Sequence, residues 1–318
     1  MKRACLPSVV VFVVLFAGYF VFLNPHVGAP GVYFLSLFGA LSMTMLGGSL
    51  WGLRDALRNS AALRREKRGE PLRDNRWEAV SGPINPRGEP LLSPFGGMAC
   101  VAYEYDVEKT TATPSRDNPT ATESPVFGWA LTPCAIHSSR GQVGLWGWPL
   151  LDAFPQVDES GPAARDRAER YMRETSFQKV RKHQALRLLS MMEESIVDPD
   201  GVIRTDCRFT DEPDPLQGRR LKERIVPWGE PVTAFGLYSL SRGGFSPRPG
   251  QLATANRLFP GIGETVRAGL WRKAFSTLAF AVVFFLFFHG ILAVVLFVPG
   301  KTSPAPRPPA EAVPPPGS

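Results

Sequence analysis

Ala274-Phe-Ser-Thr-Leu-Ala-Phe-Ala-Val-Val-Phe-Phe-Leu-Phe-Phe-His-Gly-Ile-Leu-Ala-Val-Val-Leu-Phe-Val298 contains no Asp, Glu, Lys or Arg. At about 1.5 Å of helix rise per residue, this run is long enough to cross a hydrocarbon core roughly 30 Å thick. Two earlier runs, Leu6 to Leu23 and Gly31 to Leu53, share that composition. Together they predict an α-helical membrane protein with three transmembrane helices, the first two forming a hairpin within residues 1–53. The third is separated from them by the long segment 54–273. The first run follows Lys2 and Arg3, and Val27-Gly28-Ala29 resembles a signal-cleavage triplet. Its length exceeds the usual signal core of about 7 to 15 residues and Pro30 would follow the cut, so it is expected to stay as a span.

Basic residues beside short loops hold helix ends on the cytoplasmic side. The connector Asn24 to Pro30 has none, whereas Arg54, Arg58, Arg64, Arg65, Lys67, Arg68, Arg73 and Arg76 follow the second span, and Arg267, Arg272 and Lys273 precede the third. The expected topology has the amino terminus inside, the soluble domain cytoplasmic and the tail outside. Trp51 and Trp271 would lie at the same interface. The formal charge of +7 and pI near 9.4 are explained by this topology, with headgroup attraction of about 1 kcal/mol per juxtamembrane cation. No aromatic-rich basic motif points to nucleic acid.

Within the spans, Ser36, Ala40, Thr44, Gly48 and Gly52 recur every four residues, a pattern of small side chains that favours close helix packing. They are candidates for docking against the other spans or for a homo-oligomer seam. His289 is an ionisable group midway along the third span, and such groups are functional candidates. With no acidic partner in the spans, a neutral imidazole bonding a neighbouring helix is expected.

Residues 54–76 read as a basic helical extension whose Leu53, Leu57 and Leu63 lean toward the membrane surface. The soluble domain is expected over 77–265. Ala99 to Val107, Val126 to Ile136, Gln142 to Trp146 and Pro231 to Leu240 are rich in residues that suit a pleated, half-buried surface. Arg140-Gly141 suits a turn and Thr110 to Ser124 an exposed loop. A helical insertion is expected over 163–194, carrying Tyr171, Phe177, Val180, Leu186, Leu189 and Met192. The proline-rich segment 299–318 is too poor in apolar residues to fold.

Three blocks resemble the GIDE domain, also called BAM, for beside a membrane. They are Val80-Ser-Gly82 with Pro90-Leu-Leu-Ser-Pro-Phe-Gly-Gly-Met-Ala-Cys100 and Val101-Ala-Tyr-Glu-Tyr105; Cys134-Ala-Ile-His-Ser-Ser-Arg-Gly-Gln-Val-Gly-Leu145; and Glu223-Arg-Ile-Val-Pro-Trp-Gly-Glu-Pro-Val-Thr-Ala-Phe-Gly-Leu-Tyr238. The resemblance implies a mainly β, α+β soluble domain, barrel-like, beside the spans. Its best-known bearers are membrane-anchored ubiquitin ligases in which a RING follows. A RING takes eight Cys or His ligands at zinc spacing, whereas this chain has four of each, scattered. The resemblance therefore points to a RING-less member, of the kind found in the bacterial inner membrane, acting as a sensing or interaction module.

Catalytic candidates are sparse. Cys134 and His137 are close in sequence, but positions three apart on a strand face opposite ways. Cys5, Cys100 and Cys207 have no neighbouring histidine. Asp198, Asp200, Asp206, Asp211, Glu212 and Asp214 lack the order of a calcium loop and suit a solvated loop. No cofactor or metal is expected. The expected function is a noncatalytic, membrane-anchored platform for a protein partner or for sensing the envelope. A ligase-like role and a self-associating structural role stand as alternatives. A partner groove is expected where Pro90–Cys100 meets Trp228–Gly236, with Pro94, Phe95, Trp228 and Tyr238 as contact residues. Trp228 fits either a partner anchor or a core tryptophan that closes the domain.

Overall fold

The computed structural model describes residues 2–109, 123–180, 201–209, 216, 218–248 and 254–297. The expected tail at 299–318, most of the loop at 110–124 and five of the six acidic residues between 198 and 214 lie outside these. The chain forms two compact units, one spanning Leu53–Lys273 together with Met1–Arg3, the other Ala4–Gly52 with Ala274–Ser318.

The larger unit contains a closed barrel of five strands. β1 (Trp77–Pro86) pairs with β5 (Cys134–Ser138), β5 with β6 (Gly141–Leu145), β6 with β13 (Gly244–Phe245), β13 with β12 (Pro231–Ser239), and β12 with β1 again. Closure leaves no free edge. β1 changes partner midway: Trp77–Pro83 faces Leu237–Pro231, and Ile84–Pro86 faces Ile136–Cys134. Gly82 permits the change, because a Cβ there would collide with the His137 carbonyl. β14 (Arg257–Pro260) extends β12 outward and carries β7 (Leu150–Leu151).

A second sheet runs β8 (Val157–Asp158), β11 (Arg220–Pro227), β3 (Ala99–Lys109), β4 (Glu123–Leu131), β10 (Ile203–Phe209), β9 (Gln178–Val180), with β2 (Leu91–Leu92) on β3. It is covered on both faces. Along β4, Phe127, Trp129 and Leu131 join the cluster that fills the barrel side, containing Ile136, Val143, Leu145 and Phe245. Val126 and Ala130 point the other way, to Tyr103, Tyr105 and the helix α3 (Pro162–Glu174). Period-two alternation is what allows one strand to serve two cores. The run expected as one strand over Val126–Ile136 is two strands, parted at Thr132-Pro133. Pro133 has no amide hydrogen to give to a ladder.

The helical insertion also differs from expectation. Pro162 opens α3, whose Ala164, Ala168, Tyr171 and Met172 face the sheet, but the helix stops at Glu174. Thr175 is extended at φ −91°, ψ 132°, and β9 follows. Phe177 and Val180 belong to opposite clusters, so their apolar character reflects a strand rather than a helix. The remainder, 181–194, lies outside the described residues.

α2 (Ala29–Lys67) is one continuous helix, so the second apolar run extends into the basic segment as far as Lys67, and residues 68–76 lie beyond the helix. Its Ala62 and Leu63 pack with Trp77, Ala79, Phe235 and Phe259, together with Val266 and Leu270 of α4 (Gly263–Phe297). Leu63 thus packs in the domain and does not lean toward a membrane surface. The cations there are engaged as well. The Arg58 guanidinium lies 3.8 Å over the Trp77 ring, Trp77 donates its indole N–H to Asn59 at 2.8 Å, and Arg65 reaches Glu78 at 3.3 Å. Arg257 bridges Asp55 and Asp152.

In the smaller unit, α1 (Lys2–Leu23), the first part of α2 and the end of α4 contact one another. α2 and α4 are each long and apolar enough to cross a membrane, and α1 contributes a shorter apolar stretch, Val9–Leu23. Phe38 stacks on Phe288 at 4.6 Å. Tyr19 and His289 approach to 2.6 Å, while His289 Nδ1 lies 3.0 Å from the Phe285 carbonyl. A carbonyl only accepts, so Nδ1 donates to it, and Nε2 is left to share a hydrogen bond with the Tyr19 hydroxyl. The imidazole bonds a neighbouring helix.

Candidate functional site

The most developed polar site is one the sequence did not single out. Along β10, Arg204 and Asp206 face α3 while Thr205 and Cys207 face the barrel core, as strand alternation requires. Asp206 is 8% exposed, not a solvated loop residue as expected. Its Oδ1 accepts the hydroxyls of Tyr105 and Tyr171, both at 2.6 Å, and its Oδ2 accepts Arg204 Nε at 2.8 Å. Tyr103 lies 3.3 Å from the Tyr171 hydroxyl. Burial pushes the Tyr105 phenol well above its ordinary value, with Tyr171 and Asp206 adding to the rise, so the tyrosines act as hydrogen-bond donors. Gly128, opposite Tyr105 in the ladder, makes room for the ring: a Cβ there would sit 2.6 Å from the Tyr105 hydroxyl and 2.7 Å from the Thr205 carbonyl.

This cluster backs a cleft of about 440 Å³ lined by Glu174, Thr175, Ser176, Gln178, Arg204, Thr205 and Asp206. Arg204 is fixed on three sides, by Asp206, by Thr175 Oγ1 at 3.1 Å, and by the Tyr171 ring at 5.1 Å. A guanidinium held in this way presents a fixed positive charge at the cleft wall. The signal for the site was the pairing of Tyr103 and Tyr105 on β3. Their partners arrive far later in the chain, Tyr171 for Tyr103 and Asp206 for Tyr105, so the convergence was not legible.

The expected groove is rearranged. Pro94, Phe95 and Tyr238 are buried, Phe95 completely. Phe95 stacks edge-on to Tyr105 at 5.2 Å, and Tyr238 meets Phe245 within the barrel core. These three are core residues, not contact residues. The Ser93–Gly97 turn meets Glu223 of β11 and not Trp228. The Glu223 carboxylate accepts the amides of Phe95 and of Gly96, the latter at 2.8 Å. Burial raises the Glu223 carboxyl above its ordinary value, against those bonds. Trp228 is 53% exposed at the β11–β12 turn, so it does not close the core.

The small-residue stripe is split. Ser36 and Ala40 are fully buried, Thr44 is half-buried, and Gly48 and Gly52 are exposed, with open space where a Cβ would go. Four residues advance an α-helix by about 400°, so a strict four-residue repeat drifts some 40° per step around it. The buried face passes instead from Ser42 to Ser49, seven apart, which nearly cancels that drift.

Cys100, Cys134 and Cys207 are buried free thiols. Burial pushes Cys100 and Cys134 up to about 12 and Cys207 to about 11, which works against thiolate formation. His137 is exposed while Cys134 points inward. Among the described residues, no group of three or more His, Cys, Asp or Glu is placed to hold a metal ion. The chain matches no family model, no curated protein and no solved structure.

Proposed function

We propose that this protein is a membrane-anchored recognition module of the GIDE type, in which a noncatalytic β domain binds a protein partner or reports on the state of the envelope. All three apolar helices cross the bilayer in this reading, with the domain on the cytoplasmic side of a bacterial inner membrane. The carrying observation is the cleft of seven polar residues beside the buried Tyr–Asp–Arg cluster, since recognition sites combine a concave surface with a few fixed polar groups. Anchoring fits this role because it confines the module to a surface and raises its effective concentration toward membrane-bound partners. A ligase working through a cysteine thioester draws no support from thiols that are buried and raised toward 12.

The test places a photo-crosslinking amino acid at Gln178 on the cleft, at Glu230 beside Trp228, and at Glu169 on α3. Each full-length variant is irradiated in its native membrane. A discrete adduct from Gln178 that is missing from Glu169 supports the cleft as the recognition site. An adduct from Glu230 alone moves the site to Trp228. Recovery of only self-adducts from every position overturns the reading in favour of a self-associating structural role.

A further inference from the structure

We propose that the cleft, on the recognition reading above, takes an extended acidic peptide that adds as a strand to the open edge of β10. β10 pairs with β4 along Ile203–Arg208, but on its other side β9 covers only Cys207–Phe209. Over Ile203–Asp206 the outer edge carries no strand among the described residues. A strand directs its amides and carbonyls alternately to its two edges, so among the described residues no strand meets the outward ladder groups of this stretch.

The gap arises because the chain leaves the sheet. Continued upstream in register, β9 would set Ser176 against Thr205 and Thr175 against Arg204. Instead the chain bends into the carboxyl end of α3, and Glu174, Thr175 and Ser176 become the far wall of the cleft.

Side chains select the occupant. Asp206 is already met by two tyrosine hydroxyls and Arg204 Nε. Arg204 Nη2 is taken by Thr175, and among the described residues Nη1 makes no hydrogen bond. Lys179, exposed and aligned with Arg208 in the β9–β10 register, lies on the same face as Arg204. Arg204 and Lys179 therefore stand on this face beside Asp206 and the rim carboxylate of Glu174. A strand with a carboxylate on every second residue would set one at Arg204 and the next toward Lys179, while its backbone joins β10. Small-molecule pockets are mainly apolar, whereas every residue lining this cleft is polar, which favours a peptide main chain over a compact ligand.

The experiment uses the full-length protein in lipid nanodiscs and a fluorescein-labelled nonapeptide of alternating Glu and Val, read by anisotropy. Comparators carry Gln in place of Glu, or N-methyl groups on one or the other set of alternate amides. Binding of the Glu peptide is expected to weaken by about tenfold with the Gln peptide or on Arg204→Gln, the scale of one charge-assisted contact. N-methylation of one set of amides should abolish it. Because Arg204→Gln also strips Asp206 of a partner, Lys179→Glu provides a second reading that leaves the cluster intact and should weaken the Glu peptide more than the Gln peptide. Equal binding of Glu and Gln peptides, indifference to both N-methyl series, or no binding at all overturns the proposal. If Gln178 captures a partner in membranes while no acidic peptide binds, this inference fails and the recognition reading stands; if neither occurs, both fail.

Discussion

Single atoms decide the polar cluster, and its variants separate packing from hydrogen bonding. Gly128→Ala would drive a methyl into the Tyr105 ring on one side and the Thr205 backbone on the other, and only the ring can move. Overpacking of this kind costs about 1–3 kcal/mol, so chemical denaturation of the solubilised full-length protein should show a lowered midpoint. Tyr105→Phe keeps the ring and removes one donor from Asp206. The expected loss is about 1–2 kcal/mol, smaller because Tyr171 and Arg204 still satisfy the carboxylate. Trp228 and Phe235 make the opposite comparison. Trp228→Ala at a half-exposed turn should shift stability by under about 1 kcal/mol, while Phe235→Ala, fully buried against Phe259, should cost about 3–5 kcal/mol. A Trp228→Ala loss as large as that of Phe235→Ala would contradict the exposure found here. Phe95 and Pro94 show why such distinctions were not legible: a Ser-Pro-Phe-Gly-Gly turn reads as a surface loop until Glu223, far along the chain, is seen to bind its amides.

At the scale of elements, α2 changes environment along its length. Up to Ser49 its buried positions are Val32, Ser36, Gly39, Ala40, Ser42 and Ser49; from Ala56 onward they are Ala56, Asn59, Ser60, Ala62 and Leu63. Gly48 and Ala40 belong to the same four-residue repeat yet should respond oppositely to enlargement. Ala40→Leu, at a fully buried position, should lower the thermal midpoint of the detergent-solubilised protein, by overpacking of about 1–3 kcal/mol. Gly48→Leu, with open space around it, should leave the midpoint within about 0.5 kcal/mol. A large effect of Gly48→Leu on the protein's oligomeric state, with folding intact, would instead identify that open face as a seam. The apolar runs were legible because a membrane-length helix needs only composition and length. The end of α3 was not, since Phe177 and Val180 suit helix and strand alike when read without partners.

Among the described residues of the domain, three carboxyls, Glu66, Glu104 and Glu223, are held above their ordinary value of 4.5, in each case first by burial. A raised carboxyl holds its proton in the folded state over a range where the unfolded chain has released it. The associated stability is therefore present below the unfolded value and is lost as pH rises through the folded one. The domain should resist denaturant better near pH 4.5 than at neutral pH. Glu66→Gln should flatten part of that slope, because the amide keeps one acceptor for the Ser81 amide and offers a donor to the Ser81 hydroxyl. A denaturation midpoint that falls on mild acidification from neutrality, unchanged by Glu66→Gln, would show that these groups do not govern the response.

The sequence by itself determined the long apolar helices and the β character of residues 99–107 and 231–240, because hydrophobic length and local pattern are properties of contiguous residues; the barrel-like domain was only what the resemblance implied. Only the tertiary structure decided which strands close the barrel, that Phe95 and Tyr238 are core while Trp228 is surface, and that Tyr105, Tyr171, Arg204 and Asp206 meet beside an open strand edge. Those facts depend on pairings between residues as much as 160 positions apart, as Trp77 and Leu237 are. Burial and convergence are set by what arrives on the other side of a residue, and no local pattern records that.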